Sequence, residues 1–197
     1  MKNNETVLKV TETALLAALA YIAFQFFKIP ITLPGGSSTY FHLGNTFAAL
    51  GAMLIGGVYG GLAGGIGLAI ADITSGEPIY AVTTFFLKLI IGLVTGLVAH
   101  KIGHINQKSK KEYFKWSIIA PVIGLGINII TDPVVGFIRN KYLLGIDTDL
   151  SYIIGKLTAS VTFVNAVLSC ICVVILYNIL RPALSKAGLL PGAKSNK

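Results

Sequence analysis

The sequence predicts an all-α integral membrane protein, a single bundle of six transmembrane helices with both termini in the cytoplasm. Three observations carry that expectation. Hydrophobic residues make up 54% of the chain and charged ones only 12%, where a soluble domain carries about 25% charged residues. Apolar runs recur six times along 197 residues. Basic residues gather in alternate connections, as they do where loops face the cytoplasm.

A helical crossing needs about 20 predominantly apolar residues. The first run covers 10–27, has Glu5 before it and Glu12 at its start, and lacks the small-residue cleavage site of a signal peptide. Pro30 and Pro34 with Gly35, Gly36, Ser37 and Ser38 then predict an irregular loop. Two short runs follow, 41–57 and 59–73, divided only near Gly57 and Val58. Gly76 and Pro78 break the chain before 80–100, and longer runs occupy 116–138 and 154–180. The whole of 1–197 reads as one transmembrane domain with short cytoplasmic tails, 1–9 and 182–197, and no room for a sizeable extramembrane domain.

Orientation follows from charge. With the N-terminus inside, eleven of the sixteen basic residues fall on the inner side against Glu5, Glu12 and Glu112, a net +8. The outer segments hold Lys28, Arg139, Lys141 and Lys156 against Asp72, Glu77, Asp147 and Asp149, and sum to zero. The overall net charge of +8 therefore reads as a topology signal that also suits anionic lipid headgroups, not as a nucleic-acid surface. Localisation in the bacterial plasma membrane is expected.

The polar residues inside the runs are equally one-sided. His42, Asn45, Asp72, Thr84, Lys88, Asn128, Asp132 and Asn165 all fall toward the outer half under this topology. Ionisable groups in hydrocarbon cost several kcal/mol, roughly 2.5–3.5 each on insertion scales, and mark ligand or ion sites. Asn128 and Asp132 share a face of the fifth span, and Thr158, Thr162, Asn165 and Ser169 form a stripe on the sixth. Tyr40, Phe41, Tyr80, Phe137, Tyr142 and Tyr152 crowd the outer rim. Such a set suits a small, partly aromatic, polar solute. Structural readings stand beside this one: Lys88 and Asp132 neutralising each other, Asn165 joining helices, His42 at an interface, Asp72 as a solvated cap, and the aromatics as an interfacial belt. No metal site or cofactor is expected, since Cys170 and Cys172 lie two apart without companion ligands. An enzyme would need a nucleophile–base pair at one depth, and His42 has no such companion.

Small residues mark other faces. Ala14 and Ala18 repeat at four in the inner half of the first span, as do Gly57, Gly61 and Gly65, Gly56, Gly60 and Gly64, and Gly92 and Gly96. Such spacing lets helix backbones approach closely in lipid. The glycine-rich segment 60–67 has no preceding strand and no Lys-Ser/Thr, so it is not a nucleotide loop.

The six-span layout, the Ala14/Ala18 face, the Pro/Gly loop and the blocks 40–45 (Tyr-Phe-His-Leu-Gly-Asn), 49–61 and 71–73 (Ala-Asp-Ile) resemble the substrate-binding S components of energy-coupling factor (ECF) vitamin transporters. The likeness covers roughly 8–182 and is strongest to the riboflavin-type branch, which includes pyridoxine and hydroxymethylpyrimidine transporters. The resemblance implies a vitamin ligand taken from outside, a transmembrane T subunit and two cytoplasmic ATPase subunits, and delivery by toppling in the membrane. It further implies that Ala14 and Ala18 meet the T subunit and that the loop 28–41 acts as a lid. The mixed polar set and the few deep aromatics favour a one-ring vitamin, pyridoxine or hydroxymethylpyrimidine, over riboflavin or another vitamin. A stand-alone ion-coupled transporter using Lys88 and Asp132 is the alternative, although no inverted repeat is visible.

Overall fold

The computed structural model describes residues 2–190. Helix α1 (Lys2–Phe27) leads into a hairpin of β1 (Ile29–Thr32) and β2 (Ser38–Phe41). There follow α2 (Asn45–Ile55), α3 (Gly57–Thr74), α4 (Pro78–Gly96), α5 (Lys110–Ile138) and α6 (Thr148–Lys186). Among the described residues, α1, α3, α4, α5 and α6 are long and apolar enough to cross a membrane. The multi-pass all-α expectation holds, with one correction. The expected span 41–57 is helical only over the eleven residues of α2, about 16 Å, roughly half of a ~30 Å hydrocarbon core. Helices also continue into the expected tails, since α1 begins at Lys2 and α6 runs to Lys186. The end of the second tail, 191–197 with Lys194 and Lys197, lies outside the described residues.

Helix α2 is short because it is the centre of the bundle. Every one of its residues except Phe47 is buried, and it touches all five other helices. Gly56, at φ +105°, ends it in a conformation that favours glycine and reverses the chain into α3. The His100 ring nitrogen, 2.9 Å from the Ala52 carbonyl, satisfies an acceptor in the last turn of α2 that the helix cannot satisfy itself.

Helix α3 holds the bundle together by presenting glycine to three neighbours. A Cβ at Gly60 or Gly64 would strike Ala52 or Ala48 of α2, and one at Gly67 would strike Ala17 of α1. Toward α4 the approach is mutual: a Cβ on Gly92 would meet the Gly61 backbone, and one on Gly96 the Gly57 backbone. Dispersion contacts between backbones replace side-chain packing here, because lipid supplies no hydrophobic drive for helix association. Gly56 does not belong to these faces; nothing lies within 4 Å of its would-be Cβ, and its role is the chain reversal.

The Pro/Gly segment is a β-hairpin, not an irregular loop. Ile29 pairs with Phe41 and Thr32 with Ser38, around a turn in which Gly35 and Gly36 have φ of +91° and +87°. Pro30 is tolerated because a two-stranded sheet consists only of edges. Asn165 of α6 pins the hairpin: its Nδ2 donates to the Tyr40 carbonyl at 2.9 Å, and its Oδ1 accepts from the His42 amide at 3.0 Å. Lys28 pins the other strand, donating to Gln25 Oε1 and Ser75 Oγ, both at 2.7 Å, and lying over the rings of Phe24 and Tyr40.

Two outcomes test this packing. Gly92→Ala should lower the thermal midpoint of the detergent-purified chain, overpacking costing about 1–3 kcal/mol, while Gly126→Ala, with open space around its would-be Cβ, should leave it within about 0.5 kcal/mol. Equal midpoints would remove backbone contact as the constraint. Asn165→Leu strips two hydrogen bonds from half-buried backbone, at about 0.5–1.5 kcal/mol each. Amide exchange across 38–42, followed by mass spectrometry, should accelerate; unchanged exchange would mean that something else holds the hairpin.

Candidate functional site

Beneath the hairpin, at the end of the bundle opposite the chain termini, lies a cavity of about 110 Å³. Each element contributes what its local structure exposes there. The hairpin supplies Leu33, Ser38, Thr39 and Tyr40 as a roof, and α1 supplies Phe24, whose ring meets Tyr40 edge-on at 5.3 Å. Helix α4 points Tyr80, Thr84, Leu87 and Lys88 inward, successive residues of one face. Helix α6 offers Thr158, Thr162 and Asn165 at the same helical spacing.

Seven of the eight polar residues singled out from the sequence line this cavity: His42, Asn45, Asp72, Thr84, Lys88, Asp132 and Asn165. Asn128 does not. It lies one turn, about 6 Å, further from the hairpin along α5 than Asp132 and is fully buried at 1% exposure. Sharing a helix face with Asp132 does not place it at the same depth. Ser169 of the α6 stripe is likewise buried outside the cavity wall.

The electrostatics are unbalanced at the level of individual groups. Asp132 accepts from the Thr162 hydroxyl at 2.5 Å. Lys88 is 6% exposed, yet no carboxylate lies within 4.0 Å of it; among the described residues the one ion pair is Lys108–Glu112 at 3.7 Å. Lys88 and Asp132 therefore do not form the direct pair considered from the sequence. Asp72 is 9% exposed with Oδ2 buried and without a partner, so it is not a solvated cap. Asn45, 2% exposed, also has a buried Oδ1 with no partner. His42 accepts from the Gly44 amide through Nδ1 at 3.1 Å and packs its ring against Phe24 at 4.9 Å. That bond requires an unprotonated Nδ1, which makes the ring neutral and leaves Nε2 as its donor.

Sequence reasoning assigned Arg139 to an outer connection. In the structure a π-helical turn, Arg139–Leu143, prolongs α5 and returns this side chain to the cavity. Its guanidinium lies 3.9 Å from the Tyr80 ring centroid and donates to Thr83 Oγ1 at 3.3 Å. The signal was present: Arg139 follows Asp132 by seven residues, two turns on one face. Glu77, just before α4, completes the charged lining. Two of the rim aromatics take no part: Tyr142 and Tyr152 are 70% and 58% exposed on the outside of the bundle.

Chemically the cavity presents acceptors, a neutral imidazole, hydroxyls and two cations to a small polar ring. No three His, Cys, Asp or Glu side chains among the described residues converge as a metal site. Ala14 and Ala18 lie elsewhere, in an exposed apolar groove of about 580 Å³ between α1 and α3, floored by Ala17 and Gly67 and flanked by Tyr59 and Ile66.

Comparison with curated proteins and with solved structures returns no match. A family model described as ECF-type riboflavin transporter, S component, matches residues 4–182, which take in the hairpin, α2 to α5 and most of α1 and α6. A membrane bundle with a roofed polar cavity is what a vitamin-binding subunit requires, and the chain belongs to this family of ECF transporter S components.

Proposed function

We propose that this S component binds a one-ring vitamin, pyridoxine or hydroxymethylpyrimidine, in the cavity beneath the hairpin. The observation that carries the reading is the polar lining of that cavity. A single ring with short polar substituents suits these walls better than the broad apolar face of three fused rings with a polyol tail. The walls mix His42, Asn45, Asp72, Thr84, Lys88, Asp132 and Asn165 with only Phe24, Tyr40 and Tyr80 as aromatic surface. Riboflavin, named in the family description, is the second reading.

The basic residues at the end that holds the termini orient this end to the cytoplasm, so the cavity loads from outside. The pinned hairpin serves as the lid. Ala14 and Ala18 dock a transmembrane T subunit through the groove between α1 and α3, and toppling of the bundle against that subunit turns the cavity inward. ATP hydrolysis falls to two cytoplasmic ATPase partners.

Mass spectrometry of the chain purified alone tests the substrate: a one-ring vitamin should accompany it, and retention of riboflavin would favour the second reading. Asp132→Ala should weaken that binding about 10–100-fold, the loss expected for a charged hydrogen-bonding group; unchanged affinity in calorimetry would take Asp132 out of the site. Ala14→Trp and Ala18→Trp should abolish uptake by cells while leaving the affinity of the purified chain intact. Lost affinity with preserved assembly would refute the docking face.

A further inference from the structure

None of the five charged groups in the cavity wall, Asp72, Glu77, Lys88, Asp132 and Arg139, has an opposite charge within 4.0 Å, and two of them specify the ionic form of the ligand. Lys88 is 6% exposed and has no carboxylate within 4.0 Å. Asp72, on the neighbouring helix α3, is 9% exposed; its carboxylate has the Thr84 hydroxyl as a hydrogen-bond partner and keeps a buried Oδ2 with none. Both line the same cavity. A buried charge without a counter-charge is strongly unfavourable, so a ligand that supplies the missing counter-charges is favoured. The other cation is already engaged, since Arg139 is stacked on Tyr80 and bonded to Thr83 and Asn140. Of the other two carboxylates in the wall, Glu77 stands at the start of α4 and Asp132 already accepts from Thr162.

We infer that the cavity selects a dipolar ring, one that carries an anionic oxygen for Lys88 and a protonated ring nitrogen for Asp72. A 3-hydroxypyridine meets this description: the proton of its ring hydroxyl resides on the ring nitrogen, leaving an oxyanion and an N–H cation with no net charge. An aminopyrimidine has donors for Asp72 but no acidic oxygen for Lys88. A phosphorylated ring is disfavoured, because Asp72, Glu77 and Asp132 outnumber Lys88 and Arg139 in the wall and a dianion would meet a net negative surface. The reaction that consumes the imported ring is therefore free to be a phosphorylation of its hydroxymethyl group, since the carrier takes the unphosphorylated form. This inference rests on the one-ring reading and decides between its two members.

Near-UV absorption of pyridoxine bound to the purified full-length chain tests it, because the dipolar and uncharged tautomers absorb at different wavelengths. The bound ligand should show the dipolar band. It should also bind at least tenfold more tightly than hydroxymethylpyrimidine and than its own phosphate ester. Lys88→Met should shift residual bound pyridoxine to the uncharged band and cost at least tenfold in its affinity, while changing that of hydroxymethylpyrimidine by less than threefold. An uncharged band in the unaltered chain overturns the inference whatever the variant does, as does equal or tighter binding of hydroxymethylpyrimidine or of the phosphate ester. If neither one-ring compound binds and riboflavin does, the one-ring reading falls first and this inference with it.

Discussion

Close backbone approach around α3 is the constraint on which the remaining structure depends. Its glycines face α2, α4 and α1 in turn, and a single methyl group at Gly60, Gly92 or Gly67 would collide with neighbouring backbone. In a membrane, packing contacts and not water exclusion hold helices together, so the distance of approach sets their strength. The consequence is geometric as well as energetic. A helix as short as α2 can occupy the centre, because its neighbours come near enough to enclose it on all sides.

That short central helix makes the cavity possible. Since α2 begins only at Asn45, the space a full span would have filled is left to the hairpin, to His42 and to the polar faces of α4, α5 and α6. The polar groups are costly where they stand, and the protein compensates only some of them. Asp132 has Thr162, and Asn165 has the hairpin backbone. Lys88, Asp72 and Asn45 keep unspent hydrogen-bonding or charge capacity. The same residues that weaken the empty bundle are therefore the ones able to reward a ligand. Asn165 connects the two roles, because it lines the cavity and also holds the roof.

The two ends of the molecule serve different tasks by different chemistry. The hairpin end turns its charged and polar groups into a cavity; the other half of the bundle carries an apolar groove beside Ala14 and Ala18. Separation of this kind lets one surface exchange contacts with another membrane subunit without disturbing the ligand, provided the bundle is rigid between them. The glycine contacts supply that rigidity.

Much of this was legible in the residues alone, and for a physical reason. Transfer of charge into hydrocarbon, helical periodicity and the bias of Lys and Arg toward one side are local properties, readable without knowing which helix neighbours which. They sufficed for the membrane class, the number of apolar segments, the one-sided polar set and the family resemblance. Tertiary structure alone decided that 41–57 forms half a helix, that 29–41 pairs as strands, that Arg139 turns back to the cavity and that Asn128 lies beneath it. Each of these depends on depth and rotation within the bundle, and those are set by where backbones can meet: by Gly56 at φ +105° ending α2, by the π-helical turn after Ile138, and by the glycine faces of α3.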